Sequence, residues 1–476
     1  MTETPLPGRD VPLIVDLDGT YIKTDMLLET FWKGLGAAPI GTVRTAFTHL
    51  TDRPKLKARL AEIAPVTPET LPVDPEVAEM IDAARQAGRE VYLVSGSTES
   101  IVQGVAASHP VFTSAHGSSE DLNLTKTNKR DYLVERFGEK GFDYIGDSSA
   151  DLPVWQAART ALVARPGTRI KQKLDAEGLA TTPVGEAWRW EDLLRGLRPH
   201  QWLKNMLLFL PLFVAHRMDA AGLIAASLGV IAFSALASAI YIVNDLTDLE
   251  ADRLHDTKRN RPFAAGRVPI KVGMAASLAL GLLGLAIGAA LSWAMLAVLL
   301  VYLVSTLSYS FRFKRVRWVD VTMLAGLYTL RVVAGAVAAG VAASGWLFAF
   351  IFPIFLSLGC VKRLTELAHA KGTGNVPGRR YSPADRDDLL NVAILGAVAA
   401  VSVFAAYSVS STAAALYAHI WMLWAVAILL GLWLARMIRT GWTGAQDYDP
   451  IIFAITDKIG VSLVVGSMAL LVASAR

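Results

Sequence analysis

Acidic side chains at regular spacings are the first feature of this sequence with chemical meaning. Asp16-Leu17-Asp18-Gly19-Thr20 sets two carboxylates two residues apart, Ser95 lies in EVYLVSGST, and Asp147 and Asp151 lie in FDYIGDSSAD. A carboxylate can attack phosphorus and form an aspartyl-phosphate. A second carboxylate two residues on can protonate the leaving oxygen. Further carboxylates can hold Mg2+, which neutralises phosphoryl oxygens. A separate constellation occupies Tyr241 to Pro262, YIVNDLTDLEADRLHDTKRNRP. There Asp245, Asp248 and Asp252 are spaced i, i+3, i+7, so one helix would set all three on one stripe with Asn244 close by. Such carboxylates repel one another unless a divalent cation sits between them. Mg2+ takes hard oxygen ligands and bridges to phosphates. Lys258, Arg259 and Arg261 would supply donors for a diphosphate.

The elements that must position these groups differ between the two halves. In the first 190 residues each polar cluster follows an apolar strand-like run, as expected where open parallel sheets place their sites. Helical stretches such as 74–87 lie between, which suits a doubly wound α/β layer. Residues 22–75 are mostly helical in pattern and are expected to form a cap that selects substrates.

From 191 onwards the pattern changes. The whole chain of 476 residues is 53% hydrophobic and 18% charged, against about 45–50% and about 25% in soluble domains. The excess lies in long uncharged runs near 203–217, 220–243, 272–292, 293–311, 319–340, 345–361, 389–411, 419–435 and 453–474. Each approaches the length of about 20 apolar residues that spans a bilayer, so about nine transmembrane helices are expected. The loops after the even-numbered spans carry the basic residues, among them Arg253, Lys258, Arg312, Lys314, Lys362, Arg363, Lys371, Arg436 and Arg439. The other loops are nearly free of Lys and Arg. Positive loops stay cytoplasmic, so the basic face and the N-terminal domain are expected on that side.

The net charge of +4 comes without a Lys/Arg tract, so no nucleic-acid partner is expected. One cysteine, Cys360, excludes an intramolecular disulfide and reads as a small core residue. The polar start MTETPLPGRD leads into a strand, so no secretory signal is expected.

Residues 11–165, with DLDGT, SGS and GDSSAD in order, resemble the haloacid dehalogenase superfamily. The resemblance implies that Asp16 is a nucleophile, Asp18 a general acid/base and Ser95 a phosphate donor. It implies Mg2+ held by Asp16, Asp18, Asp147 and Asp151. Its phosphate-binding lysine is assigned to Lys129 rather than Lys126, because Lys129 opens a helix-like stretch before the last strand.

Residues 195–476 resemble the UbiA-type prenyltransferases, intramembrane Mg-dependent enzymes of nine helices, through the NDLTDLEAD motif. Within them the chain looks most like the decaprenyl-phosphate phosphoribosyltransferase branch. RPHQWLKN (198–205), NDLTDLEADR with HDTKRNRP, Tyr309-Ser310 with Lys314 and Asp320, and Arg331 carry that narrower likeness. It implies binding roles for Lys204, Lys258, Arg261, Tyr309, Lys314 and Arg331, and metal ligation by Asp245, Asp248, Asp252 and Asp320. The expected partners are a polyprenyl phosphate or diphosphate, a diphosphate-bearing small molecule and the bilayer. Two departures stand out. Asp256 replaces a usual proline. The second acidic motif is reduced to Asp320 among Arg312, Lys314, Arg315 and Arg317, so cations rather than a second metal cluster would hold phosphate there; Arg315 and Arg317 alone read as positive-inside residues.

Arg331 falls inside an apolar span, where an ionisable group is costly and normally functional. Gly335 and Gly340 read as helix packing. Lys362 and Glu366 are expected to pair, and Asp447, Asp449 and Asp457 are weaker candidates for the site. Three readings stay open: phosphoribosyl transfer to a polyprenyl phosphate, prenyl transfer from a polyprenyl diphosphate to an aromatic or other acceptor, and a transporter or scaffold with a regulatory domain.

Overall fold

Leu13–Val15 is buried on both faces, as a strand in the middle of a parallel sheet must be. It forms β1. Around it run β2 (Val91–Thr98), β3 (Ser114–Ser118), β4 (Asp143–Gly146), β5 (Thr160–Ala164) and β6 (Thr181–Val184). All pairings are parallel and the order is β3-β2-β1-β4-β5-β6. Side chains alternate across the sheet. Leu13 and Val15 enter one core with Leu93 and Ile145, while Ile14 enters the other with Tyr92, Val94 and Tyr144. The chain reverses its direction of travel across the sheet at β1, which has β2 on one side and β4 on the other. A switch point of this kind opens a crevice at the carboxyl ends of those strands.

The structure is a computed structural model and describes residues 11–119, 123–342, 344–370, 379–446 and 449–475. Lys371 and Asp447 lie outside the described residues. Contacts divide the chain into two compact units, one of Met1–Leu197 with Tyr241–Leu278, the other of Arg198–Ile240 with Ala279–Arg476. The first unit thus contains the acidic stretch after residue 241 as well as the α/β layer, which a single cut near residue 190 does not anticipate.

Between β1 and the helix Pro75–Gln86 stand the helices Met26–Ala37, Pro39–Thr48 and Arg53–Ile63 and the turn Pro68–Thr70. Acidic residues cap Met26–Ala37, Arg53–Ile63 and Pro75–Gln86. Asp25 accepts from the backbone N–H groups of Leu27 and Leu28 at 3.1 and 3.3 Å, and Asp74 accepts from Glu76 at 3.1 Å.

Among the described residues, seven helices are long and apolar enough to cross a membrane. They are Ala220–Thr247, Ile270–Leu291, Trp293–Phe311, Val319–Ala339, Gly345–His369, Pro383–Ser408 and Ile420–Thr443. Large apolar side chains such as Leu282, Leu395, Trp421 and Ile428 stand exposed on them, as lipid-facing positions would.

Two expected spans are not single helices. The stretch 203–217 runs as a 3-10 helix, Pro199–Phe209, and a short helix, Leu210–Val214, with prolines at the start of each. The stretch 453–474 breaks at Asp457 into Pro450–Thr456 and Lys458–Ser474; Asp457 turns outward to cap the second piece, accepting from Gly460 N at 2.7 Å. Gly335 packs as expected, since a Cβ there would lie 2.0 Å from the Leu208 carbonyl oxygen. Gly340 instead ends its helix with φ +62° and open space around it. Cys360 is buried in an apolar cluster.

Candidate active sites

In the first unit, β1 ends at Asp16, and the turn that follows needs Gly19. Its φ is +71° and a Cβ would fall 2.1 Å from Asp147 Oδ2. That close approach brings Asp147, from the end of β4, beside Asp16. One oxygen from each of Asp16, Asp147 and Asp151 lies within 4.8 Å of the others. Lys129, in the first turn of the helix Lys126–Phe137, places Nζ 2.9 Å from Asp16 Oδ1 and 3.6 Å from Asp151 Oδ1. Lys126 is exposed and lines the same cavity, so it is Lys129 that the structure sets against Asp16.

Charge decides what this cluster needs. Three carboxylates share one ammonium group at the floor of a cavity. Burial pushes the Asp16 carboxyl up to about 7, with Lys129 pulling the other way, and holds Asp147 well above the usual carboxylate range. A divalent cation held by Asp16, Asp147 and Asp151 would relieve that excess, and hard oxygen donors suit Mg2+.

Asp18 sits just outside this group. Its Oδ1 accepts from the Met26 N–H at 2.7 Å and its Oδ2 from Ser97 Oγ at 2.5 Å. Burial, then the charge of Asp25, raises its pKa, which suits a group that must carry a proton. Ser95 is buried and lies 3.5 Å from Asp18 Oδ2.

The sequence reading missed Ser97 and Tyr144. Ser97 was legible, since residues i and i+2 of a strand share a face. Tyr144 donates to Asp151 Oδ1 at 2.7 Å and accepts from Lys129 at 3.0 Å beneath the cluster. It reads as an ordinary strand aromatic and gave no signal. The cavity of about 600 Å³ over these groups is also lined by Arg165 and, from the second segment of the unit, by Gly266, Arg267 and Lys271.

The acidic stretch of that second segment departs from expectation. The helix ends at Thr247, Asp248 adopts a non-helical conformation, and Asp252 rides on a second short helix, Leu249–Arg253. Backbone bonds from Asp248 to Asn244 and from Asp252 to Asp248 keep the helical spacing nearly intact. Asp245 and Asp252, both buried, are joined by Arg261, whose Nη1 lies 3.2 and 2.6 Å from their oxygens. A guanidinium therefore stands where a cation was expected. Among the described residues, the three-carboxylate group meeting the 4.8 Å limit is that of Asp16, and Asp245, Asp248 and Asp252 do not form one. Asn244 and Asp248 are half-buried and Lys258 is exposed.

In the second unit Asp320 is fully buried and saturated by cations. Arg363 Nε lies 2.6 Å from Oδ2, Arg379 Nη1 lies 2.6 Å from Oδ1, and Tyr309 donates to Oδ1 at 2.8 Å. Asp320, expected as a metal ligand, is thus engaged by two guanidinium groups, which Glu366 shares. Glu366 pairs with Arg363 and not with Lys362.

Arg331 is buried among Asn205 (Oδ1 at 3.0 Å), Tyr302 (Oη at 3.4 Å) and the Leu327 carbonyl (2.7 Å), with Phe233, Tyr302 and Tyr328 rings about it. Lys204 is ion-paired with Asp449, so that weaker candidate does join an expected binding residue. Asp457 is bound instead to Arg436. Lys314 is half-buried. Arg317 is more than a topology signal: it pairs with Asp385 at 2.8 Å and Asp388 at 2.6 Å.

Apolar spans and buried ionic clusters among them define an integral membrane protein, and residues 206–453 match the UbiA prenyltransferase family, to which the chain belongs. An uncharacterized protein of Sinorhizobium fredii is 38% identical over 456 residues, covering 94% of this chain and 88% of its own length. The decaprenyl-phosphate phosphoribosyltransferase of Corynebacterium glutamicum is 37% identical over 193 residues, 39% of this chain and 57% of its own. A HAD family hydrolase from Salmonella enterica serovar Typhi aligns with 35% of this chain and 68% of its own at 16% identity and a TM-score of 0.27.

Proposed function

We propose that the membrane portion moves 5-phosphoribose from phosphoribosyl diphosphate to a polyprenyl phosphate, and that the N-terminal domain hydrolyses a phosphate monoester, the transfer product being the favoured candidate. In the transfer, the bond from ribose C1 to the diphosphate oxygen breaks, a phosphate oxygen of the lipid bonds to C1, and diphosphate leaves. Asp245, Asp248 and Asp252 are the carboxylates that would hold Mg2+ there, which would neutralise the departing diphosphate; Asn244, Lys258 and Arg261 would orient it. The product keeps its 5-phosphate as a monoester.

In the hydrolysis, Asp16 bonds to phosphorus as the ester P–O bond breaks, and the alcohol oxygen takes the proton of Asp18. Water then releases inorganic phosphate from Asp16. Lys129 and Ser95 hold the phosphoryl oxygens, and Asp16, Asp147 and Asp151 are the carboxylates that would hold Mg2+, which would supply the remaining positive charge.

One observation carries the phosphoribosyl reading over prenyl transfer. The position of a second acidic motif holds a lone Asp320 already taken up by Arg363 and Arg379, which Glu366 shares, so what the loop adds is the basic pair Arg312 and Lys314, suited to an acceptor that brings its own phosphate. Relatives named decaprenyl-phosphate phosphoribosyltransferase add support. The basic loops favour placing both sites on the cytoplasmic face.

The test compares purified protein with an Asp16→Asn variant, given phosphoribosyl diphosphate and polyprenyl phosphate. Wild type should release inorganic phosphate and leave a lipid-linked ribose, whereas the variant should accumulate the lipid one phosphate heavier. Equal release of inorganic phosphate from both would rule out the coupled reading.

A further inference from the structure

Within the first unit, the segment that follows the acidic motif is packed onto the cap. Glu29, one turn into the helix Met26–Ala37, is buried and receives both terminal nitrogens of Arg253, at 2.5 and 3.2 Å. Thr24 Oγ1 donates to the same carboxylate at 2.6 Å, and Arg253 Nε donates to the Ala264 carbonyl at 2.8 Å. Further contacts flank the pair. Glu250 is bound by Lys33 and accepts from Thr67 Oγ1 at 2.5 Å, and Lys271 lies 2.9 Å from Asp25. Backbones come close as well: a Cβ on Gly266 would stand 2.5 Å from the Lys23 Cβ.

The cap helix is thus fixed twice within its first turn. At its start the Met26 N–H holds Asp18 Oδ1 at 2.7 Å. One turn on, Glu29 is locked to Arg253. A rigid helix transmits the second constraint to the first, so displacing Glu29 displaces the donor that aims Asp18.

We propose that Glu29 and Arg253 are positioning residues of the phosphatase site, and that the segment 249–271 serves as the fixed second half of its cap. Arg253 stands next to Asp252 of the transferase motif, yet by this geometry its work is on the other reaction. Through the helix Met26–Ala37 the pair sets where Asp18 presents its proton to the departing alcohol oxygen. The proposal rests on the reading of Asp18 as the general acid.

The leaving group exposes such a role. A p-nitrophenolate ion departs without needing a proton, whereas the alcohol of a sugar phosphate does not. Full-length wild type, Glu29→Gln and Arg253→Gln are therefore assayed with Mg2+ on p-nitrophenyl phosphate and on ribose 5-phosphate. In each variant, kcat for ribose 5-phosphate should fall by about tenfold or more, and kcat for the nitrophenyl ester by less than about threefold. The ratio of the two is measured on one preparation, so a misfolded fraction cancels. The double variant should lose no more than the worse single one, since both remove the same constraint.

Equal losses on both substrates, or none, would overturn the proposal while leaving the phosphatase reading intact, provided Asp16→Asn abolishes hydrolysis of both. Survival of hydrolysis in Asp16→Asn would instead overturn the phosphatase reading itself.

Discussion

Two sets of buried carboxylates in this molecule balance their charge in opposite ways. Around Asp16 the chain supplies three carboxylates and one ammonium group, and the deficit shows in carboxyls held far above their usual range. Around Asp320 it supplies two guanidinium groups for two carboxylates, Asp320 and Glu366, with a tyrosine hydroxyl on Asp320. The first arrangement asks for a metal. The second is balanced by the chain's own guanidinium groups. The pair Asp245 and Asp252, sharing Arg261, stands between the two; in the proposed transfer, a diphosphate that drew Arg261 away would leave both carboxylates to a divalent ion.

The largest effect that could break this contrast is catalytic. Asp16→Asn should lower phosphomonoester hydrolysis by about a thousandfold or more, as loss of a nucleophile does, measured as phosphate release at saturating Mg2+. Next comes stability. Asp320→Ala would take from the fully buried Arg363 one of its two carboxylates and should destabilise the protein by about 3 kcal/mol, seen by thermal unfolding in detergent with and without Mg2+. The loss should not depend on the metal; a Mg2+-dependent loss would return Asp320 to the metal ligands.

A smaller effect sharpens the other side. Because the folded Asp16 carboxyl is raised to about 7, the metal-free folded state binds its proton more tightly than the unfolded chain does. That contribution to stability is complete below about pH 4 and is lost as pH rises through about 7. Mg2+ competes with the proton, so the rise in unfolding temperature that it produces should be larger at pH 8 than at pH 5, and should shrink in Asp147→Asn. A constant rise across that range would contradict a metal bound through Asp16. The smallest effect is local. Asp457→Ala should cost about 1 kcal/mol through loss of the cap on Lys458–Ser474, with no change in Mg2+ response.

Sequence reasoning reached far where chemistry and periodicity coincide. Asp16, Asp147 and Asp151 were legible because each follows the end of an apolar strand, and Lys129 because it opens the helix before the strand that leads to Asp147. It reached less far where the answer depends on partners distant in the chain. That Asp320 meets Arg363 and Arg379 depends on helix packing that no local pattern encodes. Arg253 and Glu29 are separated by most of the first unit, and nothing in either segment announces the other. Helix breaks were hidden too. An i, i+3, i+7 spacing survives the interruption at Asp248, and the apolar runs near both ends of the membrane portion do not reveal that Pro199, Pro211 and Asp457 divide them.

The most direct test of the two-site account is a lipid assay on full-length protein in membranes, with phosphoribosyl diphosphate and polyprenyl phosphate supplied. Mass spectrometry of the lipid fraction compares wild type with a variant in which Asp245 and Asp248 are both alanine. The account predicts a ribosylated polyprenyl phosphate from wild type and none from the variant, with p-nitrophenyl phosphate still hydrolysed by both. Continued transfer in the variant, or consumption of a polyprenyl diphosphate in place of the monophosphate, would contradict it.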